Sequence, residues 1–379
     1  MEFRIAGQSR AYVINQPELI QTPRLIVFED RVVNNVRRMA EWLRSINPDL
    51  TLTALCPHVK THKSAWITRL LLSSGISFFK SSLHEVDMLI DCGAPKIFVA
   101  YPLLACDAKR MAEKMKRHPE IQFYVQMARP QHADILAHVA RESGVRWHYF
   151  VDVNVGMDRT GLAAEHAYDF YSTISDEQFF TFSVLHAYDG HIHHRDPVER
   201  RQAAAIAMGK LKKSMNHFTA QGVQVPQCIV AGTPSFLVDA EYWKTHAVAT
   251  EILYSPGTWI YNDTLTDELM PNAFDYAALI LAQVIDKPTA DTATLNLGHK
   301  RWAIDQGPVD TFSVAGLTVE SCNEEHTVVA PAAQLEIADY VLIAPRHVCS
   351  TVNLWEFITV MNKFGHIIEA ASPVTGRNR

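Results

Sequence analysis

The stretch ISFFKSSLHEVDMLIDCGAPKIFVAYPLLACDAKRMAEKMKRHPEIQFYVQM, residues 76–127, shows the pattern that decides the fold. Short runs rich in β-branched and aromatic residues, at 76–82, 96–102 and 121–127, alternate with longer segments of helical period. This alternation is typical of parallel strands that are connected by helices. Because such crossovers are right-handed, repetition of the unit can close a barrel.

Eight strand-like runs of this kind occur between residues 24 and 235. They are RLIVFED, LTALCPH, ISFFKSS, KIFVAYP, IQFYVQM, WHYFVDVN, FTFSVLHAY and QCIVAGTPS. We therefore predict an α/β protein whose (β/α)8 TIM-type barrel occupies residues 20–255. After about residue 251, runs such as AALILAQVID and DYVLIAP are separated by turns, which predicts a C-terminal mostly β domain of residues 256–379, joined by residues 1–19.

Composition narrows the class of protein. The 379 residues carry 35 Lys and Arg against 41 Asp and Glu, a net charge of −6, and 48% of them are hydrophobic. Without a basic stripe we expect no nucleic acid and no membrane surface as a partner. No apolar run approaches the ~20 residues that span a bilayer, no signal peptide is evident, and the six cysteines lack paired spacing. These features favour a cytoplasmic enzyme with a small-molecule substrate.

Polar residues follow several of the predicted strands, at the face where barrel enzymes hold their active sites. Lys60 follows the second run, and a lysine in a partly dry pocket can form a Schiff base, although most loop lysines are solvated. The segments 232–235 (Gly-Thr-Pro-Ser) and 255–258 (Ser-Pro-Gly-Thr) offer N–H and hydroxyl donors to a phosphate, or form ordinary turns.

Histidines mark two further places. Four histidines lie in the seventh predicted strand and the loop after it: His186, His191, His193 and His194. They could bind a metal, one of them could act as a general base, or they could simply be exposed loop residues. In the C-terminal domain, His347 and Cys349 lie two apart on a predicted extended segment, so their side chains point the same way and could bind one metal ion. A thiolate ligand favours zinc; the alternative is a half-buried histidine and a free thiol.

Together these segments resemble one family over nearly the whole chain. The motifs are Pro-His-Val-Lys-Thr-His-Lys at 57–63, Val-Asp-Val-Asn-Val-Gly-Met-Asp-Arg-Thr-Gly at 151–161, Ala-Tyr-Asp-Gly at 187–190, Gly-Thr-Pro-Ser at 232–235, Pro-Gly-Thr at 256–258, Glu-Glu-His at 324–326 and His-Val-Cys at 347–349. In this order they resemble the fold-type III pyridoxal-phosphate enzymes with an alanine racemase-like barrel. The most similar group contains D-threonine aldolase, 3-hydroxyaspartate aldolase and D-serine dehydratase.

The resemblance implies a role for each matched residue. Lys60 would form the Schiff base with pyridoxal 5'-phosphate, and Arg159 and Tyr188 would contact its ring. The residues implied at the phosphate are Thr233, Ser235, Gly257 and Thr258. The resemblance also implies a homodimer and a substrate that is a D-configured 3-hydroxy amino acid, cleaved to glycine and an aldehyde.

The metal and the base follow from the same resemblance. His347 and Cys349 would bind a divalent metal, zinc in preference to manganese, and His194 would be the base on the substrate hydroxyl. Cys349 stands where the aldolases usually have aspartate and the dehydratases cysteine, which favours dehydration to a 2-oxoacid and ammonia. Asp189 replaces a histidine that is common in the aldolases, although the rest of its loop resembles them.

Other departures leave further functions open. Cys56 and Asn296 replace an arginine and an aspartate that are frequent in the family, which affects recognition of the substrate carboxylate. Racemisation would need an acid–base group opposite Lys60, for which Tyr340 is the candidate. A non-catalytic cofactor carrier would consist of the barrel alone. The aldolase is the predicted activity, and the dehydratase is the main alternative.

Overall fold

The structure, a computed structural model, describes residues 1–174, 178–307 and 311–377. The chain forms two units, which we name by their secondary structure. The α/β unit comprises residues 40–60 and 65–257. The β unit comprises residues 1–39, 61–64 and 258–377.

Helices and strands alternate through the first two thirds of the described chain, and strands predominate after that. The helices are α1 (Glu29–Ile46), α2 (Ala65–Ser73), α3 (Val86–Asp91), α4 (Ala105–Arg117), α5 (Pro130–Ser143), α6 (Ala167–Thr173), α7 (Pro197–Ala220), α8 (Phe236–Thr245), α9 (Thr264–Leu269) and α10 (Val348–Asn353). The strands are β1 (Glu2–Phe3), β2 (Tyr12–Val13), β3 (Arg24–Phe28), β4 (Phe78–Ser81), β5 (Lys96–Val99), β6 (Gln122–Met127), β7 (Trp147–Asn154), β8 (Leu162–Ala163), β9 (Phe180–Ala187), β10 (Gln227–Val230), β11 (Glu251–Tyr254), β12 (Ala278–Thr289), β13 (Thr292–Leu295), β14 (Thr318–Cys322), β15 (Thr327–Ala330), β16 (Tyr340–Ile343), β17 (Phe357–Met361) and β18 (Ile367–Pro373).

The α/β unit is built around a curled parallel sheet. Its strands lie in the order β11-β10-β9-β7-β6-β5-β4, and every neighbouring pair is parallel. The segment 55–59 forms single parallel bridges to both edge strands, from Leu55 to Tyr254 and from His58 to Lys80. The alternating parallel architecture is confirmed, whereas the count of eight barrel strands stays a prediction.

One strand was assigned to the wrong sheet. RLIVF, predicted as the first barrel strand, is β3 of the β unit, where it pairs antiparallel with β12 and parallel with β17. The last strand of the parallel sheet is instead β11. A short apolar run fits a buried strand in either kind of sheet, so its periodicity does not reveal its partners.

The β unit contains a mostly antiparallel sheet, as predicted for the second domain. Its strands lie in the order β14-β15-β13-β12-β3-β17-β18, and β16 pairs with β12. Side chains such as Ile26, Phe28, Leu279 and Leu342 form its buried core. Among the described residues, no helix is both long and apolar enough to cross a membrane.

The inner face of the curled sheet changes from apolar to polar toward the carboxyl ends of its strands. The apolar side chains form one buried cluster: Cys56, Phe78, Phe98, Tyr124, Phe150, Val184, Ile229 and Leu253. Because alternate residues of a strand share a face, the residues two positions further along point the same way. Several of these are polar and buried, and we call them the polar layer: Lys80, Gln126, Asp152, His186 and Ser255.

Candidate active site

The polar layer is a continuous chain of hydrogen bonds. Nε2 of Gln126 donates to Oδ2 of Asp152 at 2.7 Å. Oδ1 of Asp152 lies 2.6 Å from Nδ1 of His186, and Nε2 of His186 lies 2.7 Å from Nζ of Lys80. Nζ of Lys80 also donates to Oγ of Ser255 at 3.1 Å. The chain links four strands and the residue that follows β11.

Burial sets the protonation states in this layer. Burial, with a contribution from the charge of Lys80, lowers the pKa of His186 to about 4, so the imidazole is neutral. Burial opposes ionisation of Asp152, but hydrogen bonds from His186 and Thr160 hold its pKa below the ordinary value. The imidazole therefore donates from Nδ1 to Asp152 and accepts from Lys80 at Nε2. Burial lowers the pKa of Lys80 to about 7.

From the sequence, Lys80, Gln126 and Asp152 received no role, and Ser255 received one only as part of the candidate phosphate segment 255–258. Each of these four residues lies two positions after a residue of the apolar cluster, either on the same strand or directly after it. A polar side chain at that offset was the signal available in the sequence. Lys80, Gln126 and Asp152 lie within strands, whereas most candidate residues of the sequence motifs lie in the loops after the strands.

The predicted ring contacts, Arg159 and Tyr188, lie together. Cζ of Arg159 is 4.8 Å from the centre of the Tyr188 ring, and Nζ of Lys80 is 5.2 Å from the same centre. Gly190 gives this ring its space, because a Cβ there would lie 2.4 Å from Cε1 of Tyr188. Lys60, half-buried, contributes to the electrostatic environment of Lys80.

A cavity of about 360 Å³ opens beside Arg159 in the α/β unit. Hydrogen-bond donors predominate in the side chains that line it, among them Gln126, Arg129, His132 and Thr160. The backbone N–H of Ala128 donates to Nδ1 of His132 at 3.2 Å, which leaves Nε2 to carry the proton of the neutral ring. The cavity is large enough for a small molecule, and it suits an anionic group because two arginines, Arg129 and Arg159, line it against one carboxylate, Asp158.

The predicted phosphate residues of the α/β unit differ in what they bind. Oγ1 of Thr233 accepts a hydrogen bond from the backbone N–H of Gly257 at 3.0 Å. The hydroxyl of Ser235 instead donates to Oδ1 of Asp189 at 2.8 Å. The N–H of Gly232 donates to the same oxygen at 3.2 Å. An internal carboxylate thus occupies donors that the prediction gave to a phosphate.

Asp189 forms a buried pair with Asp239 of α8, and both side chains are 0% exposed. Burial raises the pKa of Asp189. Burial, followed by the negative charge of Asp189, raises the pKa of Asp239 well above the ordinary value. Since two adjacent buried carboxyls cannot both ionise, Asp239 keeps the proton and donates it to Asp189.

His347 and Cys349 come together in the β unit, but not in the predicted way. His347 precedes α10 and Cys349 lies in its first turn, so the segment is not extended as predicted. Nδ1 of His347 lies 2.6 Å from Oδ2 of Asp305, which leaves Nε2 for a ligand. Burial opposes protonation of His347, but hydrogen bonds and charges of Cys349 and Asp305 raise its pKa to about 9.

Two hydroxyls lie near the sulfur of Cys349. Sγ is 3.1 Å from Oγ1 of Thr61 and 3.8 Å from Oγ1 of Thr258, the last predicted phosphate residue. The start of α10 is fixed by buried Asp263, which accepts the N–H of Val348 at 3.0 Å. In the described parts of the chain, no group of three or more His, Cys, Asp or Glu is arranged to hold a metal ion.

His194, the predicted base, lies on an exposed loop after β9. Its backbone carbonyl accepts a hydrogen bond from Nη1 of Arg200 at 2.9 Å. The histidine of this loop that packs inward is His191, because a Cβ on Gly156 would lie 2.8 Å from its Nε2. The structure places the imidazole of His194 in solvent.

Comparison with known proteins shows the family to which this chain belongs. Residues 29–263 match the family model "Alanine racemase, N-terminal domain", and residues 277–361 match "Putative serine dehydratase domain". The chain belongs to the fold-type III family of D-threonine aldolase and D-serine dehydratase. The predicted resemblance is therefore confirmed, and enzymes of this family depend on pyridoxal phosphate.

Named relatives of this family are lyases. A D-threonine aldolase of Arthrobacter sp. is 27% identical over 90% of this chain and 89% of its own length. The solved D-threonine aldolase of Filomicrobium marinum is 24% identical, with a TM-score of 0.84 over 94% of this chain and 96% of that one. The D-threo-3-hydroxyaspartate dehydratase of Delftia sp. HT23 is 18% identical, with a TM-score of 0.77 over 92% and 96%. They confirm the predicted enzyme class.

The α/β unit of this family member fits the cofactor. Lys60 supplies an amine, and Arg159 with Tyr188 supplies a cation beside an aromatic ring. The loop 232–235 leads into the N terminus of α8, where the helix dipole favours an anion such as a phosphate. This donor set suits a phosphorylated aromatic aldehyde.

The β unit fits a divalent metal with two protein ligands. The Asp305 carboxylate orients the His347 ring in the way that carboxylates orient metal-binding histidines. The ring of His347 donates a hydrogen bond to the sulfur of Cys349, so a nitrogen and a sulfur ligand are adjacent. Two protein ligands leave most coordination positions to water or substrate.

Proposed function

We propose that this protein is a pyridoxal-phosphate- and metal-dependent lyase that cleaves D-3-hydroxy amino acids to glycine and an aldehyde. The observation that carries the proposal is the pairing of His347 with Cys349, oriented by Asp305. A racemase or a cofactor carrier has no need of such a pair. The family membership and the named aldolase relatives support the same activity.

The cofactor, when bound, supplies an electron sink for the charge left at Cα. Lys60 would hold it covalently, and Arg159 and Tyr188 would orient its ring. The residues proposed at its phosphate are Thr233, Ser235, Gly257 and Thr258. Since the Ser235 hydroxyl donates to Asp189, we propose that Ser235 contributes through the N terminus of α8.

His347 and Cys349 would hold the metal, and a thiolate favours zinc over manganese. A metal held there supplies a Lewis acid for the substrate hydroxyl. His194 is the proposed base that removes the hydroxyl proton, and its exposed loop would have to bring it to the substrate.

Cys349 also favours a second candidate, a dehydratase. In that reaction Lys60 would remove the Cα proton while the 3-hydroxyl departs as water. The resulting enamine would yield a 2-oxoacid and ammonia on hydrolysis. The two reactions use the same residues and differ in which bond at Cβ breaks.

Proton NMR of the cofactor-loaded protein with D-threonine in heavy water separates these reactions. Glycine with acetaldehyde would establish the aldolase, and 2-oxobutanoate with ammonia the dehydratase. Deuterium at Cα without cleavage would refute the lyase for this substrate. Lys60→Ala should remove the visible absorbance of the bound cofactor, and an unchanged spectrum would reject Lys60 as the covalent site.

A homodimer and a cytoplasmic location stay predictions from the sequence. Light scattering on the eluate of a size-exclusion column tests the first. Fractionation of cells with an antibody against the protein tests the second.

A further inference from the structure

Lys80 is a buried amine that the proposed reaction does not use. Its side chain lies in the polar layer, and the residue is 3% exposed. A lysine is almost never buried to this extent unless its charge is paired. Its environment therefore indicates a function.

Both hydrogen-bond partners of Lys80 act as acceptors. His186 uses the proton on Nδ1 for Asp152 and accepts from Lys80 at Nε2. The hydroxyl of Ser255 donates to the backbone carbonyl of Ala231 at 2.9 Å and accepts from Lys80. Nζ of Lys80 therefore uses two N–H groups as hydrogen-bond donors, one to His186 and one to Ser255. In the ammonium form of Lys80 a third N–H is left for a ligand, whereas in the neutral amine a lone pair stands at that position.

The charges near Lys80 favour an anionic ligand. The ionisable groups that act on it are Cys56, Lys60, Asp152 and Arg159. Burial raises the pKa of the Cys56 thiol, which is therefore neutral. Asp152 is the anion among these groups, and it also accepts hydrogen bonds from Gln126, His186 and Thr160. Because Lys60 would be bound to the cofactor, the cations here are Arg159 and the ammonium form of Lys80, against the single anion Asp152, so a bound anion would stabilise the site.

The position of Lys80 places it beside the proposed cofactor contacts. Its Nζ lies 5.2 Å from the centre of the Tyr188 ring, and Cζ of Arg159 lies 4.8 Å from the same centre. Two cations therefore flank the residue that is proposed to contact the cofactor ring.

We propose that Lys80 binds an anionic oxygen of the ligands, either the phenolic oxygen of the cofactor ring or the carboxylate of the amino acid. This inference rests on the proposed function, which assigns those ligands. Lys80 would then be a specificity residue of the site, held in place by His186 and Ser255.

Two variants and one control test this role. Lys80→Gln removes the charge but keeps an N–H donor for His186, whereas Lys80→Met removes both. If Lys80→Met does not fold, Lys80→Gln carries the test. The control is Lys109→Gln on α4, whose exposed side chain pairs with Glu142 at 3.2 Å. Each cofactor-loaded protein is titrated with acid and base while its visible absorbance is recorded, and is then titrated with glycine and with ethanolamine.

The two possible ligands of Lys80, the phenolic oxygen of the cofactor and the carboxylate of the amino acid, predict different results. If Lys80 binds the ring oxygen, Lys80→Gln should shift the pH midpoint of the visible band by about one unit. If Lys80 binds the carboxylate, the midpoint stays and the Kd of glycine rises about tenfold or more, while that of ethanolamine is unchanged. Wild-type midpoint and glycine affinity in Lys80→Gln would overturn the inference. Failure of the wild-type protein to bind the cofactor would overturn the proposed function itself.

Discussion

Asp189 and Asp239 are two fully buried carboxyl groups that hydrogen-bond to each other. Through Oδ1, Asp189 also accepts the N–H of Gly232 and the hydroxyl of Ser235. The pair therefore fixes the loop that precedes α8 to the end of β9.

This pair should make stability depend on pH. In the folded protein the pKa of Asp239 is raised, so above the ordinary carboxyl range the unfolded chain loses a proton that the folded chain keeps. The free energy of unfolding then falls as pH rises, by at most about 1.4 kcal/mol per pH unit. Asp239→Asn has no carboxyl proton to lose at this position. We therefore expect the free energy of unfolding of wild type to fall more than that of Asp239→Asn between pH 5 and pH 8.

Urea unfolding at several pH values measures this effect. Asp169→Asn, an exposed change on α6, is the control and should keep the pH profile of the wild type. Parallel profiles for Asp239→Asn and wild type would show that the pair does not share a proton.

Gly190→Ala should displace the Tyr188 ring. The added Cβ would lie 2.4 Å from Cε1 and 2.6 Å from the hydroxyl oxygen of Tyr188. We expect the Kd of pyridoxal phosphate to rise about tenfold, which corresponds to about 1.4 kcal/mol. Gly209→Ala on α7 is the control, because the nearest atom to its Cβ is 3.9 Å away and Gly-to-Ala changes within helices add about 0.5–1 kcal/mol of stability. Equal cofactor affinities in both variants would contradict the assignment of Tyr188.

Asp305→Asn should weaken metal binding without removing a metal ligand. The amide cannot hold the His347 ring as the carboxylate does, and loss of such a partner typically costs about 10–100-fold in affinity. Competition with a chromophoric chelator measures this change. Glu325→Gln, which breaks an exposed pair with Lys300, should leave the affinity as it is. The metal assignment fails if both variants bind metal as tightly as wild type.

Cys349→Asp should change which metal is bound. An oxygen ligand in place of sulfur favours manganese over zinc, because harder cations prefer carboxylates. We expect the ratio of zinc to manganese affinity to fall by at least about tenfold, measured by elemental analysis after dialysis against both metals. Cys349→Ala should bind neither metal firmly, and an unaltered preference in Cys349→Asp would exclude the sulfur as a ligand.

His194→Ala tests the proposed base. A general base contributes about 100-fold or more to a rate, so kcat should fall by that factor while cofactor and metal contents stay unchanged. His193→Ala is the control, since it removes a neighbouring exposed histidine of the same loop. Equal kcat values for the two variants would direct attention to His191, the histidine that packs against Gly156.

The structure also shows which residues sequence motifs overlook. Lys60, Arg159 and Tyr188 stand in motifs, so the sequence was enough to select them. Lys80 lies in a run that shows no motif, and its proximity to Ser255 arises because separate strands of the curled sheet bring the two residues together. Asp305 lies 42 residues before His347 and reaches it only through the fold of the β unit.

The sequence by itself determined the alternating α/β pattern, the mostly β C-terminal part and the family. Local periodicity and ordered motifs carry that information, because they depend on neighbours along the chain. Only the tertiary structure decided that β3 joins the antiparallel sheet, that His347 and Cys349 lie at the start of a helix beside Asp305, and that Ser235 binds Asp189. These outcomes depend on hydrogen bonds between distant segments, and pairing of that kind leaves no periodic trace in the sequence.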